Sequence, residues 1–240
     1  MGILVGQVAR VTVGGTSPAT TSGVVTQSTG STFLAIVACY HSSLTPILGS
    51  APVSDNKGNT GWALQGTKTL IFGGVVEIGV YAQVNGAGGA GHTCTVTATQ
   101  SENVGIWFIE VKGGLTSGII DQIGDWIART GVANFTALSN SITTTQAAEL
   151  VLGIEFDGRS GTGVNNTYNN GFIVDQEEND SAGYTSSVSH KILSSTSTEQ
   201  LSVQNANSTE CYLFIISFKE LTAVGLPGGI RAQVSRRIAG

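Results

Sequence analysis

Seven carboxylates, Glu77, Glu110, Asp121, Asp125, Glu149, Glu155 and Asp157, stand in or beside apolar runs of the chain. Two of them facing one cleft roughly 5–10 Å apart would be the machinery of a glycosidase, but the sequence by itself pairs none of them. The only acidic cluster is Asp175, Glu177, Glu178 and Asp180, which with Asn179 could offer calcium oxygens. Its spacing matches no calcium loop, so a solvated acidic turn is the favoured reading. His41, His92 and His190 are far apart, and neither H-E-x-x-H nor G-x-S-x-G nor cysteines at zinc spacing occur. Gly86-Ala-Gly88-Gly-Ala-Gly91 matches G-x-G-x-x-G. That motif needs a following helix whose N-terminus faces a pyrophosphate, and here the strand-like His92-Thr-Cys-Thr-Val-Thr-Ala-Thr follows, as after a hairpin loop. Ser54-Asp-Asn-Lys57 matches S-x-x-K, but its Asp, Asn and Gly favour a turn over the helix that motif requires. Asn165–Asn170 places an aromatic among amides, and Asn166, Tyr168 and Asn169 could hydrogen-bond and stack on a sugar; a plain long turn is the favoured alternative. No catalytic residue, cofactor or metal is expected.

The elements that must position these groups are strands. Gly, Ser and Thr fill 85 of 240 positions, while charged residues are only 11%. Such a composition disfavours helical bundles and suits strands and tight turns. Alternation or continuous apolar runs mark Val8–Val13, Thr32–Tyr40, Val75–Val84, Thr93–Thr99, Asn103–Val111, Glu149–Phe156, Gly171–Asp175, Tyr184–Leu193, Gln200–Gln204 and Glu210–Lys219. Ten to twelve short strands with recurrent turn residues predict an all-β, two-sheet antiparallel β-sandwich, jelly-roll-like. The expected core is Phe33, Ile36, Val80, Val96, Ile106, Phe108, Val151, Ile154, Phe214 and Ile216. One segment departs from the pattern: Ile119, Ile120, Ile123, Trp126 and Ile127 fall at helical spacing, so 118–129 reads equally as a short amphipathic helix or an ordered loop. No repeat of 20–50 residues is visible.

The composition shifts at Leu221. Residues 1–220 carry sixteen acids against eight Lys and Arg, or −8, whereas residues 221–240 carry three arginines and no acid. Pro227-Gly-Gly229 stops any continuing strand. The expected organisation is a sandwich over 1–220 and a basic C-terminal arm over 221–240, with Leu226, Ile230, Arg231, Arg236 and Arg237 as docking residues. Cys39, Cys94 and Cys211 read as buried free thiols. The start of the chain lacks a basic segment before an apolar one, so no signal peptide is expected, and no apolar run approaches membrane-spanning length.

Several stretches in order carry a resemblance: Thr20-Thr-Ser-Gly-Val24; Val53-Ser-Asp-Asn-Lys-Gly-Asn-Thr60 with Trp62; Tyr81; Gly88–His92 leading into Thr93-Cys-Thr-Val-Thr97; Ile109-Glu-Val-Lys-Gly113; Thr143–Thr145 with Ala148–Val151; and Phe214–Phe218. Together, over residues 8–220, they resemble the jelly-roll sandwich modules of tailed-bacteriophage virion proteins and bacterial surface proteins. The resemblance implies a structural or binding unit with no shared catalytic residues. The expected function is therefore a virion structural protein, a capsid decoration or cement subunit assembled in the host cytoplasm. It would contact other virion proteins and copies of itself, and neither nucleic acid nor membrane. A glycan- or receptor-binding tail module is the alternative.

Overall fold

The computed structural model describes residues 3–14, 18–40, 48–99, 103–114, 117–131, 135–157, 166–179, 185–204 and 210–220. The first half of the chain forms β1 (Leu4–Gly14), β2 (Ala19–Thr20), β3 (Thr29–Tyr40), β4 (Leu48–Asp55), β5 (Ala63–Ile71), β6 (Val76–Ala87), β7 (Cys94–Ala98) and β8 (Asn103–Lys112). Its sheets have the orders β1-β8-β3-β6-β5 and β2-β7-β4. Pairing first with eighth, second with seventh and third with sixth is how an antiparallel ribbon wraps into a jelly roll.

The second half repeats this plan with β9 (Ile120–Thr130), β10 (Thr136–Leu138), β11 (Ile142–Thr143), β12 (Glu149–Asp157), β13 (Thr167–Asn169), β14 (Ile173–Asn179), β15 (Thr185–Leu193), β16 (Thr198–Glu199), β17 (Ser202–Gln204) and β18 (Glu210–Lys219). Its orders are β14-β15-β12-β18-β9, β10-β17-β13 and β11-β16. Substituting β9 for β1, β10 for β2, β12 for β3, β13 for β4, β14 for β5, β15 for β6, β17 for β7 and β18 for β8 reproduces both sheets of the first half. The correspondence extends to single bonds. Thr21 N–H donates to the Cys94 carbonyl (2.9 Å) and its hydroxyl accepts from Cys94 N–H (3.0 Å); Ser139 does the same to Leu201 at 3.0 and 2.9 Å. Thr26 and Gly89 clasp each other through backbone and hydroxyl, as do Thr144 and Ser197. Val24 pairs with His92 where Ile142 pairs with Glu199.

The two five-stranded sheets face each other, so the pair of packed antiparallel sheets expected from the sequence is present, and each carries a smaller sheet on its outer face. Period-two alternation explains how. Along β3, Leu34 and Ile36 join the central core while Phe33, Ala35, Val37 and Cys39 join the core under β2-β7-β4. Along β12, Leu150, Leu152, Ile154 and Phe156 face the centre while Val151 faces β17 and β10. All ten predicted core residues are fully buried, distributed over these three clusters. Arg10 on β1 reaches Glu178 on β14 (3.4 Å), and Thr67 on β5 bonds Asp125 on β9 through N–H (3.0 Å) and hydroxyl (2.7 Å). Each tie joins the first strand of one half to the fifth of the other, the contact pattern of an isologous pair within one chain.

Residues 118–129 are neither helix nor loop but contain most of edge strand β9. Phe218 and Ile216 of β18 pair with Ile120 and Ile123, and Ile215 and Leu213 with Gly124 and Ile127. Each of these steps of two on β18 is matched by a step of three on β9, so two bulges produce the spacing that imitates a helix. The bulge between Ile120 and Ile123 has its counterpart between Val5 and Val8 of β1. The Gly86–Gly91 stretch is followed by a strand as expected, but it joins β6 to β7 in the neighbouring sheet and closes no hairpin. A Cβ on Gly88 would lie 2.1 Å from the Gln27 carbonyl, so the close approach of the two loops excludes any other residue there.

Candidate functional site

The candidate sugar-binding loop turns inward. Asn166 Nδ2 donates to both oxygens of Glu155 (2.9 and 3.0 Å) and to Asp157 Oδ2 (3.2 Å), and the Tyr168 hydroxyl donates to Glu155 Oε2 (2.7 Å). The Ser187 hydroxyl reaches the same oxygen at 3.1 Å. Glu155 and Asp157 are two residues apart on β12, so both point to the outer face of the sheet, beneath β13, and both are fully buried. Burial, then the Asp157 charge, pushes the Glu155 carboxyl up to about 7. Burial and the Glu155 charge push the Tyr168 phenol up as well. Only Asn169 of the three predicted residues is exposed. Asn170, at φ 58°, turns the chain and donates to the Gln200 carbonyl (3.3 Å). The Asn166 amide and the Tyr168 phenol thus satisfy a buried acid pair.

A second polar cluster lies at the end of the first half. The Asp55 carboxylate accepts from Lys57 N–H (2.8 Å), Asn59 N–H (3.3 Å), Asn59 Nδ2 (2.9 Å) and Trp62 Nε1 (3.0 Å), which fixes the turn after β4. His92 Nε2 lies 3.8 Å from Asp55 Oδ2, and its Nδ1 is 3.1 Å from the Thr26 hydroxyl. The Thr–His–Asp order resembles a nucleophile triad, but the imidazole is fully buried, edge-on to Phe33 and Phe108, and burial lowers its pKa. Thr26 is buried as well, and its Oγ1 is also engaged with Gly89.

The third cluster joins β9, β12 and β18. Lys219 Nζ is 2.8 Å from Asp121 Oδ1. Thr145 donates to Asp121 through its N–H (Oδ2, 2.7 Å) and its hydroxyl (Oδ1, 2.6 Å). Glu149 Oε1 accepts from Thr145 N–H (3.2 Å) and Gln146 N–H (2.9 Å). Burial opposes ionisation of Asp121, but bonds from Lys219 and Thr145 prevail and hold it below the usual carboxylate range. Burial, with Asp121 alongside, pushes Glu149 up. In the first half the corresponding carboxylate is Glu110, which accepts from Gln27 N–H (2.7 Å) and the Ser31 hydroxyl (2.7 Å) and lies 3.3 Å from Lys112 Nζ.

The acidic cluster is divided among partners. Asp175 holds His190 Nδ1 at 2.8 Å, Glu178 meets Arg10, and Asp180 lies outside the described residues. Among the described residues no three His, Cys, Asp or Glu side chains come together as a metal site, and no helix is long and apolar enough to cross a membrane. Cys39, Cys94 and Cys211 are free and buried. His41 and the arm residues Leu226, Ile230, Arg231, Arg236 and Arg237 lie outside the described residues. Six of the sixteen acids of residues 1–220, Glu77, Glu110, Glu149, Glu155, Asp157 and Glu199, are buried. Carboxylates inside the apolar run Glu149-Leu-Val-Leu-Gly-Ile-Glu-Phe-Asp157 were the available sign of that burial. Comparison with protein-family models, with curated proteins and with solved structures returns no match to this chain.

Proposed function

We propose that the chain is a structural protein of a tailed-bacteriophage virion, a capsid decoration or cement subunit that docks on neighbouring subunits. The observation that supports this reading best is the destination of the polar groups. Glu77, Glu110, Glu149, Glu155 and Asp55 each bond backbone N–H groups or neighbouring side chains that fix connecting segments. Groups committed in this way stiffen a scaffold and are not free to meet a substrate. Two sandwiches sharing one core give a rigid body suited to packing among other proteins.

The docking element in this reading is the arm, with Leu226 and Ile230 as apolar anchors and Arg231, Arg236 and Arg237 meeting acids. In this reading those acids belong to neighbouring subunits. A truncation ending at Glu220 tests the proposal: the shortened protein should fold and fail to join particles. Normal incorporation, or unfolding without the arm, overturns it. The alternative of a glycan- or receptor-binding tail module would rely on Asn166, Tyr168 and Asn169. It predicts glycan-array binding by the full chain that Asn169→Ala abolishes.

A further inference from the structure

We propose that Lys219 and Asp121 condense to an intramolecular amide, with Glu149 carrying the protons. The parts of a condensation centre are assembled at this one point. Lys219 ends β18, pairs directly with Glu149 on β12, and has β9 on its other side. Its Nζ lies 2.8 Å from Asp121 Oδ1, one bond away from the carboxyl carbon it would attack. Thr145 aims two donors at the Asp121 oxygens, at 2.7 and 2.6 Å, where negative charge develops when Cγ becomes tetrahedral. Glu149 is fully buried, and its Oε2 has no hydrogen-bond partner among the described residues. Its raised pKa suits a resident proton on that oxygen. The Asp121 side chain is 2% exposed, so the product amide is shielded from hydrolysis.

The step balances without any co-reactant. The Lys219 ammonium passes one proton to the Asp121 oxygen that departs, which frees the Nζ lone pair to form the C–N bond to Cγ. Glu149 delivers a second proton to that oxygen and is reprotonated by the proton that Nζ sheds after the attack. The C–O bond breaks and one water leaves, so an ammonium and a carboxylate become an amide plus water, with Glu149 unchanged. The first half supplies an internal comparison. Lys112 corresponds to Lys219, but Gly6 stands where Asp121 does and Ser31 where Glu149 does. With only Glu110 beside it, Lys112 lacks the paired acid and electrophile, and no amide is expected there. In the second half the bond would fasten edge strand β9 to closing strand β18.

Intact-mass measurement of the denatured full chain is the test. The expected mass is one water below that of the sequence, with a branched tryptic peptide joining the segments that contain Asp121 and Lys219. Lys219→Arg and Asp121→Ala should each restore the full mass. Glu149→Gln, shown folded by circular dichroism, should slow amide formation by about 100-fold or more. Full mass in the unaltered protein overturns the proposal, as does a water loss that persists in Lys219→Arg, which would mark a succinimide at Asp121.

Discussion

Replacing Glu155 by Gln should change how stability depends on pH. The carboxyl is fully buried beside Asp157, and its pKa is raised from 4.5 to about 7. At 1.36 kcal/mol per tenfold change in proton affinity, that displacement corresponds to about 3 kcal/mol between the two protonation states. Because the folded pKa is the higher one, the protonated group contributes this stability in full below pH 4.5 and loses it as pH rises through about 7. His190, raised through its bond to Asp175, acts in the same direction above 6.5, whereas His92, lowered by burial, contributes stability above 6.5 that is lost as pH falls. Those contributions are common to both proteins, so the difference between wild type and Glu155→Gln isolates the carboxyl. Gln retains an oxygen for Tyr168 and Ser187. Urea unfolding measured from pH 5 to pH 8.5 should show the wild type losing about 3 kcal/mol more than the variant across this interval. Parallel stability curves would refute the assignment of a proton to this buried pair.

Other consequences are equally direct. Phe214→Ala, in the core shared by the facing sheets, should cost about 3–5 kcal/mol. It should lower the unfolding midpoints reported by Trp62 in the first half and Trp126 in the second together, since both halves bury surface in one core; two separate transitions would contradict that. Ser139→Ala leaves the buried Leu201 N–H without its acceptor and should cost about 1–3 kcal/mol in a denaturant melt, and Thr21→Val should do likewise at Cys94.

The strand content and core were legible because both rest on alternation, which survives any change of partner. Residues 118–129 were not, because the two bulges of β9 replace a period of two by one of three to four, and no turn residue announces a bulge. The duplication was hidden for a different reason. The halves keep Leu34 and Leu152, Ile36 and Ile154, Ile109 and Ile216, and Lys112 and Lys219 in equivalent places, but elsewhere the inward positions exchange one apolar side chain for another of suitable volume, which cores accept. Its repeat is also far longer than 50 residues. The loop around Tyr168 was read by residue type, and type alone does not say that an amide and a phenol point at buried acids on the next strand. That information lies in Glu155 and Asp157, whose places in an apolar strand require partners.

The duplicated halves also show which carboxylates the fold needs. Both must satisfy backbone N–H groups where the chain enters the third strand of the ribbon, at Gln27 in one half and at Thr145 and Gln146 in the other. The first half does so with Glu110 from the eighth strand, bonded to Ser31 on the third. The second half reverses the residues: Glu149 lies on the third-strand equivalent, β12, and Ser217 on β18. One buried acid in either position meets the same requirement, and leaving such donors unpaired would cost about 1–3 kcal/mol each. Asp121 has no counterpart, since Gly6 occupies that place on β1. It shares the Thr145 N–H with Glu149, and it is the carboxylate that holds Lys219 against a buried acid.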